Sequence, residues 1–136
     1  MKFYRGRLFD HVNVKVRDIQ KSKNFYRSVV ETLGHAFTQE EKQSFIIDEL
    51  MVTESSEASQ AIHLAFQAES AVAVKLFYQT ALEKGGRCNG APGERKLHSG
   101  YYSAYVLDPD GNNVEAVYHG PLTRSSAYIE VVTSRQ

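Results

Sequence analysis

The feature that most restricts how this 136-residue chain can fold is an internal repeat kept in one register. His11 and His63 stand 52 positions apart, as do the pairs Phe25-Tyr26 and Phe77-Tyr78 and the glycines Gly34 and Gly86. Equal spacings at equivalent points of one pattern argue for a duplicated module. In residues 10–16, Val12, Val14 and Val16 alternate with His11, Asn13 and Lys15, the period-two pattern of a strand with one buried face. Asp18 then offers a helix N-cap. Ile19, Ser22, Phe25, Tyr26, Val29, Val30 and Leu33 follow as a helical stripe, and Gly34 offers a C-terminal stop. The second copy repeats this order. Ile62, Leu64 and Phe66 alternate with His63, Ala65 and Gln67, Ser70 can cap a helix carrying Val74, Phe77, Tyr78, Ala81 and Leu82, and Gly85 and Gly86 end it.

After each helix the pattern returns to strands. These fall over residues 35–39, 44–48 and 50–53 in the first copy. In the second, a loop over 89–99 leads to strands over 101–107 and 113–118. Asp108-Pro109-Asp110-Gly111 has the proline and glycine placement of a hairpin turn. The expected fold is therefore α+β, a single domain over residues 1–136 with two paired βαβββ modules forming a curved mixed sheet around a cleft. Module 1 spans about residues 8–57, module 2 about 61–120, and a tail covers 121–136, where 127–132 offer a short extra strand.

Sixteen Lys and Arg balance sixteen Asp and Glu, so nothing in the overall charge draws the chain to nucleic acid or to an anionic membrane. No apolar run is long enough to span a bilayer. The N-terminal residues lack a secretory apolar stretch, so a cytoplasmic protein is expected. The single cysteine, Cys88, excludes an internal disulfide framework and sits in a Gly/Asn-rich stretch without an obvious activating neighbour.

Each module must bury one sheet face against its helix, and the valine face and the Ile62, Leu64, Phe66 face do so. His11 and His63 then point to the opposite faces, which line a shared cleft if the two sheets meet. In 113–118, Val114, Ala116 and Tyr118 oppose Asn113, Glu115 and Val117, which places Glu115 toward the cleft as well. Taken singly, a histidine on a polar strand face or a carboxylate late in a strand is ordinarily just solvated. The repeat makes the two histidines equivalent. Two imidazoles and a carboxylate on rigid strands can hold Zn²⁺, Mn²⁺, Fe²⁺ or Ni²⁺ with positions left open for chemistry.

The strings HVNVKVRDIQKSKNFY, IHLAFQA, LFYQTALEKGG and YYSAYVLDPDGNNVEAVYHG resemble the glyoxalase/bleomycin-resistance/dioxygenase superfamily, also called vicinal-oxygen-chelate proteins, over about residues 8–120. The resemblance implies paired βαβββ modules around a cleft, with metal ligands on the first strand of each module and on a last strand. By that match the ligands are His11, His63 and Glu115. It also implies a small-molecule substrate and a homodimer whose clefts lie within one chain or between swapped modules. Many members carry a fourth ligand, often a Glu on the last strand of the first module. Here only Glu49 and Glu54 flank residues 50–53, a departure from the glyoxalase I pattern that leaves a three-ligand set similar to extradiol dioxygenases open.

Around the expected site, a tight turn at Pro109-Asp110 would pair Ala104 with Glu115 and put Tyr102 and Val106 on the cleft face, an arrangement that a bulge would reverse. Tyr102 is thus a candidate substrate-binding residue. His98 is a candidate acid or base and Arg95 a candidate clamp for a carboxylate or phosphate, although each has the simpler reading of a solvated loop residue. His119 shares the parity of Glu115 near the strand's end, His35 is a surface residue, and the two Phe-Tyr pairs are core aromatics. The leading expectation is a divalent-metal enzyme similar to lactoylglutathione lyase, a lyase or isomerase in which Glu115 shuttles a proton on an oxygen-chelating substrate. The alternatives are an extradiol-type dioxygenase and a non-catalytic protein that sequesters a small molecule, as bleomycin-resistance members do.

Overall fold

The computed structural model describes residues 1–134. In chain order the elements are β1 (Val12–Val16), α1 (Ile19–Glu31), β2 (Gln39–Glu41), β3 (Ser44–Ile47), β4 (Leu50–Glu54), β5 (His63–Gln67), α2 (Ala71–Glu83), β6 (Arg87–Glu94), β7 (Tyr102–Leu107) and β8 (Asn113–Tyr118). They form two mixed sheets of four strands, ordered β1-β4-β3-β2 and β5-β8-β7-β6. In each, the first strand of the module pairs parallel with the last, and the remaining neighbours are antiparallel. The fold is the expected pair of βαβββ modules.

The helices begin where the polar caps stand. Asp18 Oδ1 accepts from the N–H groups of Gln20 and Lys21, and Ser70 Oγ accepts from Ala73 N–H. Such caps are worth about 1 kcal/mol each, because they satisfy amide donors that the first helical turn leaves open. Phe25, Tyr26, Val29 and Val30 of α1 bury against Val14, Val16, Phe45 and Val52 of the first sheet, and Val74, Phe77 and Ala81 of α2 share one core cluster with Val106, Val114 and Ala116.

The two modules are tied across a seam. Arg17 N–H donates to Asp110 Oδ1 and the Tyr26 hydroxyl to Asp108 Oδ2 at 2.6 Å, while Lys15 N–H holds Ser59 Oγ of the connecting segment. Val12 and Leu50 line, with Leu64 and Phe66, a small hollow of about 110 Å³ where the edge strands β1 and β5 come together. Gly86 marks the closest packing at this seam: a Cβ there would lie 2.8 Å from Phe25 Cε2 and 2.8 Å from the Ala81 carbonyl oxygen. A Gly86→Ala substitution is therefore expected to destabilise the protein by about 1–3 kcal/mol through overpacking. The urea midpoint measures this, and an unchanged midpoint would show that Phe25 can yield.

Three segments differ from the sequence reading. Residues 35–39 are not a strand along their length, because His35 N–H is still tied to the Val30 carbonyl at the helix end and the ladder begins only at Gln39. The expected loop over 89–99 is largely β6, an irregular strand whose ladder breaks between Cys88 and Gly90 and again between Gly90 and Gly93. Glycine and proline erase the side-chain alternation there while the backbone still pairs with β7. No strand forms over 127–132; Tyr128, Ile129, Val131 and Val132 are exposed and no sheet edge pairs with them. Among the described residues, no helix is long and apolar enough to cross a membrane.

Candidate functional site

Strand β8 lies between β5 and β7, so Glu115 sits mid-sheet with Ala65 on one side and Tyr105 on the other. Residues of the same parity share its face: His63, Ala65 and Gln67 on β5, Asn113 and Val117 on β8, and Ser103 and Tyr105 on β7. Tyr102 does not belong to it. The β7–β8 connection closes as a five-residue loop, with Asp108 N–H bonded to the Asn112 carbonyl at 2.8 Å. That is one residue more than the tight turn assumes. The added residue moves the register by one, so Tyr105 replaces Ala104 opposite Glu115 and Tyr102 pairs with Tyr118 against the core. Val106 is fully buried in that core rather than on the face of Glu115, for the same reason.

Glu115 is 1% exposed, and both carboxylate oxygens are engaged. Oε1 lies 2.9 Å from His63 Nε2, and Oε2 accepts the Tyr101 hydroxyl at 2.5 Å. Burial, then the hydrogen bond and charge of Glu115, push the Tyr101 phenol well above its ordinary range. Tyr101 therefore keeps its proton and donates it in a short bond to the carboxylate. The sequence reading missed Tyr101, although counting parity back from Tyr105 would have found it.

His98 and His119 stand next to this group. His98 Nε2 and His119 Nδ1 are 2.9 Å apart, with the ring planes within 16° of each other and the centroids 5.1 Å apart. The Tyr101 ring meets both edge-on, with centroids 5.3 Å from His98 and 5.2 Å from His119. Burial first, then the charges of His98, Arg124 and Arg5, hold the His119 imidazole below its usual range, and Glu115 opposes them. The folded state thus takes up the His119 proton less readily than the unfolded chain does. Stability from this group is complete above about pH 6.5 and is lost as pH falls through the lowered folded value. A His119→Gln variant should lose less stability than the parent between pH 7 and pH 5, as read from urea midpoints. Parallel curves would show that His119 is not a source of acid sensitivity.

The Arg95 guanidinium folds back on its own strand region. Its Nη2 donates to the carbonyls of Ala91, at 2.7 Å, and Ser103, at 3.1 Å, and its carbon lies 5.1 Å from the centroid of the Tyr105 ring. The group props the broken part of β6 while lying against the side chain opposite Glu115. Its Nε and the hydroxyl of Ser103 are both buried without a protein partner. His11, just ahead of β1, is exposed and bonds to Asp10 at 2.6 Å. His35 is exposed as expected. Cys88 is also exposed, but a hydrogen bond with the Tyr78 hydroxyl lowers the pKa of its thiol, a neighbour that the sequence did not reveal.

Residues 8–116 match the family described as the Glyoxalase/Bleomycin resistance protein/Dioxygenase superfamily. The chain belongs to this superfamily. A solved structure of a glyoxalase/bleomycin resistance protein from Albidiferax ferrireducens T118 is similar at 28% identity and a TM-score of 0.67, over 80% of this chain and 96% of that one. A glyoxalase/bleomycin resistance protein/dioxygenase family enzyme from Burkholderia phytofirmans PsJN follows at 21% identity and 0.64, over 79% and 95%. A glyoxalase-related enzyme from Fulvimarina pelagi, at 16% identity and 0.65 over 88% and 99%, shares the fold. No curated protein matches the chain.

Proteins of this superfamily often bind a metal, which sets a test for the residues present. His63 and Glu115 pass it as a pair, an imidazole nitrogen and a carboxylate oxygen 2.9 Å apart on adjacent strands. His11 does not join them in this chain: among the described residues, no group of three or more His, Cys, Asp or Glu side chains converges. Module 1 also lacks a counterpart of Glu115. Asn13 pairs with Met51 as Ala65, 52 positions later, pairs with Glu115, so a thioether stands where the equivalent carboxylate would be. Glu54 is committed elsewhere, its carboxylate accepting from Ile19 N–H at the start of α1 and from the Gln43 amide. Among the described residues, His63 and Glu115 are the two donors brought together.

Proposed function

We propose that this glyoxalase-superfamily protein is an enzyme of the lyase or isomerase type that moves a proton on a small substrate bearing two adjacent oxygens, with a divalent metal as cofactor. The observation that carries the reading is the buried Glu115 carboxylate tethered between His63 and Tyr101 on the sheet face opposite the core residues Val114 and Ala116. A carboxylate out of water and fixed at both oxygens is a pre-positioned proton acceptor. Glu115 takes the proton from a carbon next to a carbonyl and returns it to the neighbouring carbon. The Tyr101 hydroxyl orients the carboxylate, and His63 stands half-exposed beside it. Arg95, whose guanidinium lies against the Tyr105 ring opposite Glu115, attracts an acidic group of the substrate by its charge. His63 and Glu115 would hold the metal, with His11 as third ligand supplied when a second copy completes a homodimer. When bound, the ion would polarise the substrate oxygens as a Lewis acid.

A second reading, sequestration of a small molecule without chemistry, is favoured by Met51 in the place of a carboxylate and by the separation of His11 from the other two ligands. Metal content of the full chain separates the two. The enzyme reading expects roughly one metal per chain, lost on His63→Ala. It also expects a thermal shift on adding Zn²⁺, Mn²⁺ or Ni²⁺, while a response to anaerobic Fe²⁺ alone would move the assignment to a dioxygenase. If no ion binds and none shifts the melting temperature, the metalloenzyme reading fails and sequestration replaces it.

A further inference from the structure

We propose that His98 and His119 form a one-proton relay that leaves His119 Nε2 bare, as a second proton-accepting atom of the Glu115 site. The inference rests on the proton-transfer reading of that site. His98 Nδ1 lies 2.8 Å from the carbonyl oxygen of Ser99, which can only accept, so this nitrogen carries its hydrogen. In a neutral ring the other nitrogen, Nε2, is then an acceptor. The 2.9 Å contact with His119 Nδ1 must therefore be made by a hydrogen on His119, which leaves the lone pair on His119 Nε2 without a proton. The carbonyl of Ser99 thus determines the tautomer of a ring two hydrogen bonds away.

An incoming proton has one place to go. It binds His119 Nε2, and the charge is shared by strengthening of the inner bond or by transfer of the inner hydrogen to His98 Nε2. A second proton would leave hydrogens on both facing nitrogens and break the pair. His119 is in contact with His98 from the loop before β7 and with Tyr101, and it feels the charges of Glu115, which holds the Tyr101 hydroxyl, and of Arg5 and Arg124 from the two terminal segments. Burial above all, with the guanidinium charges of Arg124 and Arg5 adding to it, favours the neutral imidazole, the form that accepts a proton. Gly100 and Gly120 pack closely enough that a Cβ on Gly100 would be 3.3 Å from the His119 carbonyl, which anchors the loop carrying His98 to the end of β8.

In the step this permits, a substrate C–H bond next to a carbonyl breaks and its electron pair stays on the substrate as an enolate. The proton becomes Nε2–H of His119, and its return to the adjacent carbon completes an isomerisation. Tyr101 touches both Glu115 and His119, so the site holds two acceptors for a substrate with two exchangeable positions. His98 is a positioning residue, since it acts through His119.

The test is the imidazole tautomers of the ¹⁵N-labelled full chain, read from long-range ¹H–¹⁵N correlations at about pH 8. The relay expects Nδ1–H and a bare Nε2 for both His98 and His119, with the first proton on acidification appearing at His119 Nε2. In His98→Leu, His119 should shift to the Nε2–H form, whereas His98→Gln, which retains an acceptor, should preserve Nδ1–H. Amide spectra of each variant report that it is folded. An Nε2–H tautomer for His119 in the parent chain, or a tautomer indifferent to both substitutions, overturns the relay. Failure to bind metal leaves these tautomers unchanged, so the relay and the metal assignment can fail separately.

Discussion

Replacing Asp108 with Ala is expected to lower the unfolding free energy by about 3 kcal/mol or more. Asp108 is 3% exposed and makes three bonds: Oδ2 accepts the Tyr26 hydroxyl, and Oδ1 accepts the N–H groups of Asp110 and Asn112. Its removal strands a fully buried phenol and two amides, and each buried donor left without a partner costs about 1–3 kcal/mol. Burial pushes the Asp108 carboxyl upward and its hydrogen bonds pull it back, while the Tyr26 phenol lies well above its ordinary range. Tyr26 is therefore the donor. Asp108→Asn keeps an acceptor and should lose less, and Tyr26→Phe should cost about 1–2 kcal/mol because it removes the donor as well as the need for it. Urea unfolding of the two single variants and the double variant gives the coupling. A loss below about 1 kcal/mol for Asp108→Ala would show that the modules are held chiefly by apolar contact at Phe25 and Gly86.

The second large effect is chemical. Glu115→Gln should reduce proton-transfer activity by about 10²–10⁴-fold while leaving the melting temperature close to that of the parent. The amide can still accept from Tyr101 through its oxygen, and its nitrogen can donate to His63 Nε2 once that ring takes its Nδ1–H tautomer, so neither neighbour is orphaned. What disappears is the base and the anionic metal ligand together. Glu115→Ala, by contrast, should also destabilise, because it leaves the Tyr101 hydroxyl without its acceptor in a buried place. Comparing the two variants separates chemistry from folding. Undiminished turnover in the Gln variant would remove Glu115 from the mechanism.

The pair His63 and Glu115 was legible from the chain because each lies on a strand whose neighbours alternate cleanly, so the face of each side chain followed from its parity. Tyr101 and Tyr102 were confused for the opposite reason. Both are aromatic, both sit at a strand start, and only the length of the loop over 108–112 decides which of them faces the carboxylate. A change of one residue in that loop inverts the answer, and the motif Asp108-Pro109-Asp110-Gly111 is compatible with more than one closure. His119 was passed over because its value depends on His98, 21 positions away, and no periodicity links a loop imidazole to a strand end.

What the sequence by itself determined is the duplicated βαβββ plan, the helix caps at Asp18 and Ser70, the buried faces, and the membership in the superfamily. These follow from spacing and alternation, which are properties of neighbours along one strand or one helix. Only the tertiary structure decided that Met51 occupies the place equivalent to Glu115, that Tyr101 closes on that carboxylate, and that His11 does not converge with His63 and Glu115 as a three-ligand group among the described residues. It also decided that Asp108 locks the seam through Tyr26. Each of these depends on register between strands or on contact between modules, where a shift of one residue reverses a face and local propensity carries no information.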